Sequence, residues 1–406
     1  MKKLVSLALS AVMACGLAAG VAGCAKDVKV SDYEIKPVKA SDLKVGLICL
    51  HDETSTYDKN FIDAMDKACE AKGVSVEKKL GIPEDNKCFE AAEELVGAGC
   101  NVIFADSFGH EDFMMQAAIK YPNVQFCHAT GTKSKTHNLG NYHNAFASIY
   151  EGRYLAGVVA GLKLNEIGLK AGQDYYQMGY VGAFPYAEVI SGFTSFYLGA
   201  QSVANATIKM EVQYTSSWYD VEAEQKAADN LITRGAQLIS QHADSMGAPN
   251  ACETKNIPNV SYNMNTSNGA PKTYLVASRI NWQPYFEYMI DCVIAGDQID
   301  TDWTGTIATG SVELLGLGKN VAKDTDKKVA EVKAKLESGE INVFDTSKFT
   351  VGGKNLPNYL ADVKDYGDFT GETEVIKDGV FLESKFRSAP YFSVIIDNIT
   401  DITPKN

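Results

Sequence analysis

Short apolar runs alternate with longer stretches of helical periodicity along most of the chain. The first pair is LKVGLICL, bounded by turn residues, and NFIDAMDKACEAKG, whose apolar positions recur every three to four residues until Gly73 ends it. The strands VSVEKKL, CNVIFAD and NVQFCHAT follow, separated by the helices CFEAAEELVGAG and HEDFMMQAAIKYP. This alternation predicts an α/β fold with a doubly wound parallel sheet, covered by helices on both faces.

A second series of the same kind begins after the predicted helix EGRYLAGVVAGLKLNEIG. Its strands are YQMGYVGAF, TIKMEVQYTS, AQLISQHA and NVSYN. Two consecutive α/β series predict two lobes with a cleft between them, lobe 1 over residues 42–145 and lobe 2 over 146–280. The amphipathic helix in NWQPYFEYMIDCVIAG is expected to return to lobe 1 within a segment of about 281–320. Residues 321–406 form a mixed C-terminal extension, whose part 345–392 is rich in Gly, Asp and Tyr and is assigned to neither lobe.

The first 24 residues have the layout of a secretory signal. Lys2 and Lys3 precede an apolar stretch, and the small residues of VAGC stand directly before Cys24. This resembles a bacterial lipobox and predicts a lipoprotein signal peptide over 1–23 with Cys24 lipidated; an ordinary signal peptide cut nearby is the alternative. Residues 24–41 are expected to be a polar tether. The sequence therefore predicts a lipid-anchored protein on the extracytoplasmic face of the cell membrane.

Charge and cysteine content exclude several classes of partner. The net charge is −13, and becomes −15 without Lys2 and Lys3, which argues against nucleic acid as a partner because phosphate binding depends on basic clusters. Nine cysteines less Cys15 and Cys24 leave seven, with no C-x-x-C pair, so no metal site and no cofactor are expected. We expect these seven cysteines to be buried free thiols. We expect the protein to be a monomer.

Polar and aromatic residues gather where the predicted strands end. Ligands of open parallel sheets bind outside these carboxyl ends, so two lobes with such ends describe a cleft for a flat molecule with polar edges. The candidate ligand-binding residues are Tyr57, Asp106, Ser107, Phe108, Phe184, Trp218, His242, Asp244, Asn263 and Trp282. Each has a structural alternative, such as helix capping by Asp106, or Trp282 packing beneath the cleft instead of lining it.

An enzymatic interpretation would use His242 as a general base, Asp244 as its orienting acid and Ser245 as a nucleophile. A triad needs the nucleophile and the acid on opposite sides of the imidazole, which residues so close at one strand end cannot easily provide. The sequence also has no G-x-S-x-G elbow and no phosphate-binding loop. We therefore expect a binding protein with no catalytic residues, and keep a hydrolase and a membrane-tethered sensor or adhesin as alternatives.

The chain resembles the basic membrane protein family of lipoproteins, which are purine-nucleoside-binding components of ABC transporters. The motifs STYDKNF, FADSFGH, YEGRYLAGVVAG, GYVGAF, TSSWYD and SQHADS carry the resemblance over roughly residues 43–320. It implies the type I periplasmic-binding-protein fold and an ABC transporter permease as the partner. The implied ligand is a purine: adenine, adenosine, guanosine, inosine or hypoxanthine.

The resemblance also implies roles for individual residues. Tyr57 and Trp218 would sandwich the base, and Asp106 or Ser107 would meet its edge. The residues completing the lobe 2 side would be His242, Asp244 and Asn263. No lysine follows the strand in SYNMNTS, and a long acidic and aromatic insertion follows Phe344, so nucleobase and nucleoside both remain open.

Overall fold

The computed structural model describes residues 35–405, which fold around two large parallel sheets. The signal peptide, Cys24 and most of the predicted tether lie outside the described residues. The strands are β1 (Lys44–Ile48), β2 (Ser75–Lys79), β3 (Val102–Ala105), β4 (Gln125–Ala129), β5 (Tyr142–Ala147), β6 (Tyr175–Gly182), β7 (Thr207–Tyr214), β8 (Leu238–His242), β9 (Asn259–Tyr262), β10 (Tyr274–Ile280), β11 (Asp302–Gly305), β12 (Val312–Leu314), β13 (Leu360–Ala361), β14 (Thr373–Glu374), β15 (Ile376–Lys377), β16 (Val380–Phe381) and β17 (Ile399–Asp401).

Ten α-helices are assigned within the same residues, 35–405. They are α1 (Thr56–Lys72), α2 (Asn86–Gly97), α3 (Glu111–Lys120), α4 (Ser134–His137), α5 (Ile149–Ile167), α6 (Ala187–Gln201), α7 (Val221–Thr233), α8 (Gly247–Lys255), α9 (Gln283–Ala295) and α10 (Thr325–Glu337). None of these helices combines the length and the apolar character needed to cross a membrane.

Each large sheet forms the centre of one lobe. The first has the strand order β11-β5-β4-β3-β1-β2 and is entirely parallel. The second has the order β12-β10-β9-β8-β6-β7-β17, and only β12 runs antiparallel to its neighbour. The predicted α/β class with two parallel-sheet lobes is confirmed. Below, lobe 1 and lobe 2 denote these two sheets with their helices.

The chain passes from one sheet to the other between β5 and β6, between β10 and β11, and between β11 and β12. Helix α9 packs on α1 of lobe 1, and β11 then extends the first sheet at its edge beside β5. Near the C-terminus, β17 adds an edge strand beside β7. The last strand of the extension therefore belongs to the second sheet.

Helix ends and glycines explain why these segments fold locally as they do. Helix α1 is capped by Ser55, whose side chain accepts a hydrogen bond from the Asp58 N–H, and it ends at Gly73 in the left-handed conformation, as predicted. Helices α5 and α6 approach closely: a Cβ added at Gly199 would lie 2.0 Å from the Tyr154 carbonyl oxygen. Glycine is required there, because a larger residue would separate the two helices.

The seven cysteines of the described chain are buried and unpaired. They are Cys49, Cys69, Cys88, Cys100, Cys127, Cys252 and Cys292. Burial raises the pKa of these thiols, for example to about 11 at Cys100, which keeps them protonated and unreactive.

Candidate functional site

A cavity of about 370 Å³, a volume that includes space open to solvent, lies between the carboxyl ends of the two sheets. Lobe 1 contributes the residues that follow β1, β3 and β4 and the first turn of α1. Lobe 2 contributes β9, the start of α6 and the residues that end or follow β7 and β8. The lining residues are Leu50, His51, Tyr57, Asp58, Ser107, Phe108, Thr130, Glu188, Trp218, His242, Asp244 and Tyr262.

The two lobes touch directly beside this cavity. The backbone N–H and the hydroxyl of Thr56 both donate to the carbonyl oxygen of Asp244, at 2.9 and 3.1 Å. The Asn60 side chain donates to the carbonyl oxygen of Ile280 at 2.9 Å. The N-terminal half of α1 therefore holds lobe 1 against two strand ends of lobe 2, and the cleft is closed along this edge.

Tyr57 supplies an aromatic wall from lobe 1. It lies in the first turn of α1 and is half-buried, with its ring 4.8 Å from that of Phe61. Its hydroxyl donates to the carbonyl oxygen of Asp106 at 2.8 Å. This bond ties the tyrosine to the end of β3 and leaves the ring as the part of the side chain that can face a ligand.

Trp218 supplies an aromatic wall from lobe 2, in the loop after β7. It is half-buried, and its ring lies 5.2 Å from Phe184 and 6.0 Å from Tyr186. Its carbonyl oxygen accepts a hydrogen bond from the Asp244 N–H at 2.9 Å, which joins this loop to the end of β8. Phe184 packs against Trp218 and does not itself line the cavity.

His242 and Asp244 are both buried at the end of β8. The Nε2 atom of His242 lies 3.3 Å from the Glu188 carboxylate, and its ring lies 4.5 Å from that of Tyr262. Burial lowers the pKa of His242 and raises the pKa of Asp244 well above its usual range. The structure thus provides a neutral imidazole and a carboxyl group that can hold a proton, both facing the cavity.

The arrangement at β8 does not support a catalytic triad. The imidazole of His242 is paired with Glu188, not with Asp244. The Ser245 hydroxyl accepts a hydrogen bond from the Gly247 N–H at 3.0 Å, and the Ser245 N–H donates to the Glu224 carboxylate at 3.2 Å. Ser245 is therefore part of the loop that starts α8, and not a nucleophile facing an imidazole.

Two carboxyl groups lie next to each other on the lobe 1 side of the cavity: Asp58 lines it, and Asp106 is buried and does not. Asp58 accepts hydrogen bonds from the His51 N–H at 2.7 Å and from the Ser55 hydroxyl at 2.5 Å. Although burial opposes ionisation, hydrogen bonds from His51 and Ser55 lower the pKa of Asp58. Burial and the neighbouring Asp58 raise the pKa of Asp106 well above its usual range. Asp58 is therefore the ionised member of the pair, and Asp106 the protonated one.

The same carboxyl groups and Cys49 place three possible metal-binding atoms within 4.8 Å of one another. Burial raises the pKa of Cys49 as well as that of Asp106.

The remaining sequence candidates fall in different places. Ser107 and Phe108 line the cavity, while Asp106 lies fully buried behind them. Asn263 is buried, and its Nδ2 has no hydrogen-bond partner within residues 35–405. Trp282 does not reach the cavity: it is 1% exposed and stacks on Phe61 at 4.5 Å. Trp282 directly precedes α9. Because α9 packs on α1, the indole lies in the aromatic core of lobe 1.

Several lining residues were not among the sequence candidates. They are Leu50, His51, Asp58, Thr130, Glu188 and Tyr262. His51 and Asp58 lie in the strand-end stretch HDETSTYD, and Glu188 lies in GAFPYAE, so their position after a strand was visible in the sequence. What the sequence could not show is which side chains of these stretches point into the cleft.

Residues 48–347 match the model of the Bmp family, described as ABC transporter substrate-binding protein PnrA-like. A purine-binding protein of Brucella abortus is 33% identical over 308 residues, which cover 74% of this chain and 83% of that protein. A putative ABC transporter glucose-binding protein of Haloferax volcanii is 30% identical over 258 residues, 63% of this chain and 62% of that protein.

Solved structures show the same fold. A solute-binding protein of an ABC transporter system from Conexibacter woesei matches with a TM-score of 0.60 at 19% identity, covering 74% of this chain and 97% of that one. A corresponding protein from Aeropyrum pernix matches with a TM-score of 0.62 at 15% identity, covering 74% and 92%. The predicted type I periplasmic-binding-protein fold is confirmed by these neighbours.

Proposed function

The chain belongs to the PnrA-like family of ABC transporter substrate-binding proteins, and we propose that it captures a purine nucleobase or nucleoside and delivers it to an ABC permease. The observation that carries this proposal is a cavity lined by an aromatic side chain from each lobe, Tyr57 and Trp218, and by carboxyl groups. The purine-binding relative of Brucella abortus supports the choice of ligand.

The chemistry of the cavity suits the edge of a purine ring. Stacking of a base on an aromatic side chain contributes about 1–3 kcal/mol, and a hydrogen bond to a charged group about 1.5–3 kcal/mol. The carboxylates of Asp58 and Glu188 can accept from an exocyclic amino group. Asp244, whose pKa burial raises, can hold a proton and donate it to a ring nitrogen. Stacking and these hydrogen bonds are sufficient for reversible binding, and no covalent step is involved.

The most direct test is to identify what the protein carries. The purified protein would be denatured and the released small molecules analysed by mass spectrometry. We expect a purine. Because a relative of Haloferax volcanii is described as glucose-binding, release of a sugar without any purine would replace the purine assignment with a sugar.

Replacement of Trp218 or Tyr57 by alanine should weaken purine binding by about 1–3 kcal/mol, or roughly 5- to 150-fold in dissociation constant, because one stacking face is lost. Trp218→Phe should be milder, since a ring remains. Calorimetric titration with adenine, adenosine, guanosine, inosine and hypoxanthine measures this effect. Tyr366→Ala is the control, because Tyr366 is 69% exposed and does not line the cavity. Unchanged affinity in both cavity variants would contradict the proposed sandwich.

We further propose that Cys24 carries a lipid that anchors the protein at the extracytoplasmic face of the membrane. The support is the sequence VAGC after an apolar segment, in residues that lie outside the described structure. Cys24→Ala should release the protein from the membrane fraction, whereas Cys15→Ala, the matched control, should leave it there. Fractionation followed by immunoblotting measures this. Retention of the Cys24→Ala protein in the membrane would rule out lipidation at this residue as the anchor.

A further inference from the structure

Residues 360–393 of the C-terminal extension, which we call the strap, contact both lobes. The strap lies beyond residue 347, where the family match ends. It is bonded to β11, the edge strand of the first sheet, and leads a few residues later into β17, an edge strand of the second sheet. The strap therefore links the two lobes in addition to the three crossings of the main chain between the sheets.

The attachment of the strap to lobe 2 is apolar and buried. Phe392, near the end of the strap, stacks on Phe344 at 4.3 Å, and Phe381 packs edge-on against Phe392 at 4.7 Å. Phe344 in turn lies 5.3 Å from Tyr150 at the start of α5. The three phenylalanines are at most 2% exposed. Separation of these rings would expose apolar surface to water, which is costly.

The attachment of the strap to lobe 1 is polar. The ammonium group of Lys135, on the short helix α4, lies 2.9 Å from the Asp302 carboxylate and donates to the carbonyl oxygen of Phe386 at 2.7 Å. The Asp302 carboxylate also accepts a hydrogen bond from the Ser388 N–H at 3.0 Å. Since Lys135 and Asp302 belong to lobe 1, these bonds hold the last third of the strap against that lobe.

A second group of polar contacts joins the strap to residues that follow β4. The Thr132 hydroxyl donates to the Asp365 carboxylate at 2.6 Å, and the Thr136 hydroxyl donates to the Asp365 carbonyl oxygen at 3.3 Å. We call these bonds and those of Lys135 the latch contacts. The Lys135 side chain is 51% exposed, so water can replace its partners when the contact breaks.

The difference between the two attachments determines how the strap moves. Any rotation that separates the lobes must also separate the strap from one of them. Exchange of surface hydrogen bonds for bonds to water costs less than exposure of a buried aromatic cluster. The strap is therefore expected to stay on lobe 2 when the cleft opens, and the latch contacts with lobe 1 are expected to break.

We propose that the strap holds the cleft closed through the latch contacts, which must break before the lobes can separate. This inference goes beyond the proposed function, because the latch contacts lie within the chain and do not involve the ligand. They lower the free energy of the closed form relative to the open form. The ligand-free protein should therefore populate the closed form, and a bound ligand should leave more slowly than it would without the strap.

The test removes the latch contacts and measures the separation of the lobes in the ligand-free full chain. Lys135→Met and Thr132→Val each remove one group of latch contacts, and the double variant removes both. Spin labels are attached at Lys87→Cys in α2 and Lys226→Cys in α7, whose native side chains are 64% and 73% exposed. The seven native cysteines of the described chain are buried, which favours labelling at the two introduced positions. Pulsed electron paramagnetic resonance gives the distances between the labels.

A closed population should be present in the ligand-free protein with intact latch contacts. Each single variant should raise the ratio of open to closed molecules by roughly 2- to 12-fold, the range for loss of one hydrogen bond, and the double variant should raise it further. Lys133→Met is the matched control. The Lys133 ammonium group pairs with the Asp112 carboxylate at 2.6 Å within lobe 1, so its loss should leave the ratio unchanged.

Three results would overturn the role of the strap. The first is a ligand-free protein that is entirely open although the latch contacts are intact. The second is a double variant with the same ratio of open to closed molecules as that protein. The third is an effect of Lys133→Met as large as that of Lys135→Met. Failure of purines to bind would refute the proposed function alone, because the distances are measured without a ligand.

Discussion

Replacement of Trp282 by alanine is expected to lower the free energy of unfolding by about 3–5 kcal/mol, and to leave the purine affinity of the folded protein nearly unchanged. The indole is 1% exposed and stacks on Phe61 at 4.5 Å, with Phe104 5.7 Å away edge-on. Truncation leaves a cavity inside the aromatic core of lobe 1, which the neighbouring rings can fill only in part.

Denaturant unfolding of the ligand-free protein and calorimetric titration of the folded protein measure these two effects separately. Trp218→Ala is the matched comparison, because the same side chain is removed at the cleft. It should show the reverse pattern, with weaker binding and a small change in stability. If Trp282→Ala left stability unchanged and weakened binding by more than about fivefold, the assignment of Trp282 to the core would be wrong.

In the wild type, ionisation of Glu383 is expected to lower the free energy of unfolding by about 3 kcal/mol between pH 4.5 and 8, and Glu383→Gln should abolish this loss. Burial raises the pKa of Glu383 to about 7 from an ordinary value of 4.5, although the N–H groups of Tyr391 and Phe392 favour its ionised form. In this pH range the folded state keeps a proton that the unfolded state releases. The stability that protonated Glu383 contributes to the folded state is therefore fully present below about pH 4.5 and is lost as the pH rises through 7.

The quantity to measure is the difference in unfolding free energy between variant and wild type at each pH. Other buried groups titrate in the same range, such as Glu151 and Glu224, whose pKa burial also raises to about 7, and they cancel in that difference. The free energy of unfolding of the variant should increase relative to that of the wild type as the pH rises. A difference that does not change with pH would show that the pKa of Glu383 is not raised in the folded state.

The regular elements around the site could be read from the sequence, because they depend on local periodicity. The apolar runs that predict β1, β3, β4 and β8 are strands, and α1 ends at Gly73. The position of a side chain after such a strand also follows from local order. This is why Tyr57, Trp218, His242 and Asp244 could be selected as candidates, and why the structure brings them to one cavity.

Orientation and long-range packing could not be read in the same way. Trp282 follows a strand as Trp218 does, yet the packing of α9 on α1 buries it in the core. Asp106 also ends a strand, but it lies behind the lining and beside Asp58. A strand end selects a short stretch of chain, whereas the neighbouring helices decide which of its side chains faces the cleft.

The sequence by itself determined the two α/β series, the acidic charge, the candidate strand ends and the resemblance to purine-binding lipoproteins. All of these depend on composition, spacing and motifs within short windows. Only the tertiary structure decided the place of the C-terminal extension, where residues 360–393 bond to Thr132 and Asp302 in lobe 1 and to Tyr150 in lobe 2. Those partners are separated from it by 86 to 233 residues along the chain. Irregular segments have no periodicity from which such a distant contact could be predicted.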